Sequence, residues 1–146
     1  MFLTLDDLET DASPSVGAGY YASGFLVRDF PVIDATENFQ VEGTTIMASA
    51  ADAGKYEALG ASELTHLLLA FDRLATYSAP GRMEPTPKLH GMSGAGVWHF
   101  DHRSSSHDKL AGLLIEHHQQ DLKVIVATRM GEFLHGLSAF VSGALS

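Results

Sequence analysis

Short apolar runs separated by turn-forming residues recur along this chain, and they restrict it to folds assembled from brief strands. Runs at 24–28, 39–47, 65–71, 96–100, 110–116 and 122–128 are bounded by Gly, Pro, Ser, Asn or Asp clusters. Leu122-Lys123-Val124-Ile125-Val126-Ala127-Thr128 is rich in β-branched residues, and Leu110-Ala111-Gly112-Leu113-Leu114-Ile115 is apolar throughout. Both patterns predict strands covered on two faces. Six such runs in a chain of 146 residues predict one all-β domain, a barrel or a sandwich.

What surrounds the runs narrows this further. There is no cysteine, so burial and hydrogen bonds must hold the fold without disulfides, a usage that leans towards a cytoplasmic location. Lys and Arg are scattered singly through a chain of formal charge −9, which leaves no basic stripe for a phosphate backbone; nucleic acid is not an expected partner. The opening Met1-Phe2-Leu3-Thr4-Leu5-Asp6-Asp7 lacks a cationic leader, and no apolar run is long enough for a helical membrane span, so neither export nor a membrane partner is expected. Residues 1–18 read as a tether ending in the loop Ala12-Ser13-Pro14-Ser15-Val16-Gly17, with the domain proper at 19–146. The Ala-rich stretch 48–60 reads as irregular, at most a short helical turn, because of its glycines. From Met130 to Leu145, the spacing of Phe133, Leu137, Phe140, Val141 and Ala144 predicts a helix whose apolar face closes the domain.

The most informative segment is His90-Gly91-Met92-Ser93-Gly94-Ala95-Gly96-Val97-Trp98. Acyl transfer needs a nucleophilic hydroxyl beside backbone N–H groups aimed at a developing oxyanion, and glycines around a serine allow the sharp turn that presents both. The α/β-hydrolase elbow uses a similar pattern between a strand and a helix. Here the motif follows a Pro-rich connection, Ser78 to Pro87, and runs into a strand at 96–100, with further strands downstream.

In this setting the sequence resembles the C-terminal barrel of the trypsin-like serine peptidases, whose nucleophile loop reads Gly-x-Ser-Gly-Gly-Pro before a strand. Leu110 to Ile115 looks like the strand lining that family's primary specificity pocket, Val124 to Arg129 like the next strand, and Met130 to Leu145 like its C-terminal helix. Gly19-Tyr20-Tyr21-Ala22 resembles the first strand of that barrel, often Gly-Tyr-Pro in bacterial members. The likeness implies Ser93 as the catalytic nucleophile of a hydrolase, with the N–H groups of Gly91 and Ser93 as its oxyanion hole. It places Pro87 at the pocket floor, where no carboxylate selects basic substrates, and makes Ile115, Glu116 and His117 candidate substrate contacts. Met92 stands where zymogen-derived members carry Asp, so activation by cleavage is not expected.

The same likeness requires a base His and its Asp from a first barrel upstream, and residues 1–18 then read as the remnant of an inter-barrel link. Before Ser93 the histidines are His66, in a strand, and His90, in the serine loop; Asp6 and Asp7 lack the strand context of a triad acid. A serine without a base is a poor nucleophile. Three arrangements follow: a fragment, a degenerate protease that binds peptides without cleaving them, or a partner chain that supplies the first barrel. A peptide or protein substrate is expected, and a homodimer or partner chain would cover the barrel face left exposed. His99, Asp101, His102, His107 and the pair His117-His118 offer nitrogen and oxygen ligands, but their spacing fits no recognised zinc motif; no metal or cofactor is expected. Trp98 is expected in the core.

Overall fold

The computed structural model describes residues 3–11, 19–24, 43–72, 76–78, 82–84, 89, 91–101, 107–118 and 121–144. Six antiparallel strands close into a ring: β1 (Gly19–Gly24), β2 (Thr44–Ala50), β3 (His66–Ala70), β8 (Val124–Arg129), β7 (Lys109–His118) and β6 (Gly96–Phe100), with β6 returning to β1. Four neighbours in the ring, β6, β1, β2 and β3, form a Greek key. A two-stranded hairpin, β4 (Thr76–Ser78) and β5 (Arg82–Glu84), interrupts the connection from β3 to β6. The architecture is therefore an all-β barrel, followed by one helix, α2 (Met130–Ala144).

Alternation along the strands builds the interior. Tyr20 and Ala22 of β1, Ile46 of β2, Leu67 and Leu69 of β3, Val97 of β6, Ala111 and Leu114 of β7, and Ile125 and Ala127 of β8 share one buried cluster. The β8 residues between them, Val124 and Val126, face outward and are buried again with Leu68 beneath a short helix, α1 (Ala53–Leu59). This double burial is why β8 reads as a continuous apolar run.

α1 occupies the stretch read as irregular. Asp52 caps its first turn, accepting the Lys55 N–H at 3.2 Å. Gly60, with φ of +62°, ends it in a Schellman motif: the Gly60 N–H donates to the Glu57 carbonyl and the Ala61 N–H to that of Tyr56. The glycine that argued against a helix is its terminator. The helix docks through Tyr56, whose hydroxyl accepts the Leu68 N–H at 2.9 Å. Because β2 and β3 pair only at Ser49↔Ala70 and Ala50↔Leu69, Leu68 lies past the end of that ladder; its carbonyl accepts the Ala51 N–H and its own N–H donates to the Tyr56 hydroxyl.

The opening segment is packed against the barrel. Thr4 and Asp7 close a 3₁₀ turn at Leu5–Asp7, and the Thr4 backbone and hydroxyl donate to the Asp7 carboxylate, holding it below its ordinary pKa. Leu8 then bridges to Leu110, and the Glu9 carboxylate pairs with Nδ1 of His99, whose ring stacks on Tyr20 at 5.0 Å. Arg129, buried at the end of β8, donates through Nε to the carbonyls of Glu63 at 2.7 Å and His66 at 3.1 Å, tying the turn before β3 to the sheet.

Two expectations need correction. The helix at 130–144 is present, but Phe133, Leu137, Phe140 and Val141 are exposed along it, so its apolar face does not close the barrel. Trp98 lies outside the core, half-buried on the outer wall, where its ring is parallel to that of Tyr21 at 6.3 Å. The reason is parity: Val97 takes the inward position, so Trp98 must point out. Among the described residues no helix is long and apolar enough to cross a membrane.

Candidate functional site

The serine loop is built from two overlapping turns. The Met92 N–H donates to the Leu89 carbonyl at 3.2 Å, and the Ala95 N–H to the Met92 carbonyl at 2.9 Å. Gly91 and Gly94 occupy the third position of each turn with φ of +93° and +86°, where a type II turn requires a positive φ. Leu89 and Met92 anchor the loop in the core, Met92 almost wholly buried, while Ser93 between the glycines is exposed.

The loop is also fastened to its neighbours. The Gly94 N–H donates to the Leu114 carbonyl at 2.7 Å, and the Leu114 N–H returns to the Ala95 carbonyl at 2.9 Å, extending the β6–β7 ladder up to the serine. On the other side Gly24 of β1 lies so close that a Cβ there would stand 2.7 Å from the Ala95 Cβ. These bonds use the amides of 92, 94 and 95; those of Gly91 and Ser93 have no hydrogen-bond partner among the described residues. They are the two amides the resemblance assigns to an oxyanion hole.

Past Leu114, β7 continues without β6. Ile115 already points outward by alternation from the buried Leu114; a bulge makes it an extra residue, so that Glu116, opposite Val126, faces outward as well, and from Glu116 to His118 the strand pairs with β8 at Val126, Ile125 and Val124. On its opposite side the β6 ladder ends at Gly96↔Leu113, before this stretch begins. Of the candidate substrate contacts, Ile115 and Glu116 are exposed on this stretch, and His117 is half-buried with its ring edge-on to Phe71 at 6.5 Å. All three belong to β7 itself, which runs two residues past the sequence-based estimate. Pro87 and His90 lie outside the described residues.

The candidate metal ligands have separate positions. His99 is paired with Glu9, His118 with Glu116 through Nε2 at 2.6 Å, and His102 is outside the described residues. Among the described residues no three His, Asp or Glu side chains gather as a metal site would need.

The residues that sequence reasoning missed are the ones that hold the loop: Leu89 and Met92 beneath it, Gly24 beside it, and Leu114 across from it. A weak signal existed in the apolar pair three apart among glycines; the contacts to β1 and β7 are long-range and leave no local mark. In comparisons with known proteins, no family model and no curated relative matches the sequence.

Proposed function

We propose that this chain is a trypsin-like serine peptidase domain, carrying the nucleophile and oxyanion hole of peptide or ester hydrolysis through an acyl-Ser93 intermediate. One observation carries the reading: an exposed serine is held between two positive-φ glycines, with the amides of residues 91 and 93 left over by a loop that uses those of 92, 94 and 95. In the reaction the Ser93 Oγ attacks the substrate carbonyl while a base takes its proton. The oxyanion is held by the two amides, the leaving amine takes the proton back, and water then frees the acyl group.

Among the described residues no histidine is hydrogen-bonded to Ser93. In this reading the base comes from a first barrel on a further chain, and this chain by itself hydrolyses slowly or not at all. The apolar face open on α2 is a surface that a second copy or a separate partner chain would cover.

A second reading, prompted by the stretch of β7 that runs past the last rung of β6, is a catalytically silent module that takes an extended peptide as an added strand in the old substrate cleft. A fluorophosphonate probe separates the two. Labelling of the folded protein that Ser93→Ala abolishes supports the peptidase; a folded protein that stays unlabelled supports the binder.

A further inference from the structure

The end of the barrel that the opening segment covers is polar inside. Tyr20 of β1 lies two residues before Ala22, His99 of β6 two after Val97, and Arg129 of β8 two after Ala127; Ala22, Val97 and Ala127 all belong to the inner cluster. By alternation the three polar side chains point inward as well. Glu9 joins them from the opening segment: its N–H donates to the Leu110 carbonyl at 2.9 Å, and its carboxylate pairs with His99. Tyr20 is wholly buried and Arg129 nearly so.

Three atoms of this group have no hydrogen-bond partner among the described residues and are closed to solvent: Oε1 of Glu9, the Tyr20 hydroxyl and Nη2 of Arg129. Their companion atoms are used, the other Glu9 oxygen by Nδ1 of His99 and Nε of Arg129 by the carbonyls of Glu63 and His66. The three groups are close enough to act on one another. Burial is the main cause of the raised Tyr20 pKa, and the charges of Glu9 and Arg129 come next, the first raising it and the second lowering it. Buried polar atoms in folded proteins are almost always paired, with protein or with ordered water. Leaving three of them unmet costs more than immobilising one water molecule.

The chemistry of the three atoms identifies their partner. A guanidinium nitrogen only donates, a carboxylate oxygen accepts, and a phenol does either. A simple anion would meet Arg129 but face Glu9, and a cation would do the reverse. A small neutral molecule that donates and accepts at once suits all three, and three is the usual partner count of a buried water.

We propose that a single long-lived water binds inside this end of the barrel, bridging Oε1 of Glu9, the Tyr20 hydroxyl and Nη2 of Arg129. It fastens the opening segment to β1 and β8, so the residues around Glu9 are part of the barrel's structure and not a tether to it. The proposal stands apart from Ser93 chemistry.

Two measurements on the full chain test it. A crystal structure at atomic resolution is expected to show one water within about 2.7–3.2 Å of all three atoms. In solution, relaxation dispersion of the water oxygen nucleus is expected to report an internal water that Tyr20→Phe makes exchange about fivefold faster, for one lost hydrogen bond. Tyr21→Phe, whose hydroxyl donates to Asp108 at an exposed site, is expected to change nothing there. Direct hydrogen bonds among the three groups, an ion in the water's place, no density between them, or equal effects of the two substitutions would each overturn the proposal. The crystal measurement uses the unaltered protein, so it decides the matter even if Tyr20→Phe does not fold.

Discussion

Gly94 and Gly24 both shape the serine turn, for different physical reasons. At Gly94 the space beside the backbone is open, and the constraint is its φ of +86°; at Gly24 the constraint is the neighbouring Ala95. Gly94→Ala is therefore expected to cost about 1–2 kcal/mol through backbone strain. A lowered midpoint in denaturant and weaker probe labelling of Ser93 would show it, and an unchanged turn would mean that the left-handed conformation is not required. At this scale the serine turn was legible because glycines, serine and apolar anchors are contiguous in the chain. The recess where Leu59 and Gly60 at the end of α1 meet Glu116 and His118 of β7 was not legible: the two elements lie more than fifty residues apart, and spacing does not encode such a meeting. Pro87 illustrates another limit, since its assigned role came from the resemblance and its position is not among the described residues.

Helix α1 depends on a hydroxyl that replaces a missing strand partner. Tyr56→Phe keeps the ring but leaves the buried Leu68 N–H unsatisfied, at an expected cost of about 1–3 kcal/mol in equilibrium unfolding. A neutral result would mean that water replaces the phenol. The barrel strands were unevenly readable from period and composition: β6 matches its sequence-based bounds, and β7 and β8 begin or end within two residues of theirs, whereas the runs at 24–28 and 39–47 meet β1 and β2 only at Gly24 and at 44–47, with 25–28 and 39–42 outside the described residues. α1 was misread because glycine was weighed for helix propensity rather than as a C-terminal stop, although Asp52 and Gly60 bracket it. For α2 the periodicity identified the helix and its apolar stripe correctly but not what the stripe touches, which is a tertiary fact. The bulge in β7 was hidden by an apolar run that reads the same whether or not Ile115 is an extra residue.

At the scale of the whole barrel, one end is sealed by polar side chains: Glu9 from the opening segment, Tyr20 and His99 from neighbouring strands, and Arg129 from β8. Burial, reinforced by Glu9 and opposed by Arg129, pushes the Tyr20 phenol up to about 12. An unfolded phenol ionises near pH 10, so the stability that relies on neutral Tyr20 is complete below that point and is lost as pH rises from about 10 towards 12. Phenolate absorbance should show a late-ionising tyrosine that Tyr20→Phe removes; simultaneous ionisation of every tyrosine in the native protein would contradict this packing. The ring order, unlike the strands, could not be read from pattern, because it depends on which edges meet. Its least secure join follows from the brief pairing of β2 with β3. There a helix side chain stitches a seam that strands close everywhere else in the ring, so the cylinder would unzip first at the place where its wall changes from sheet to helix.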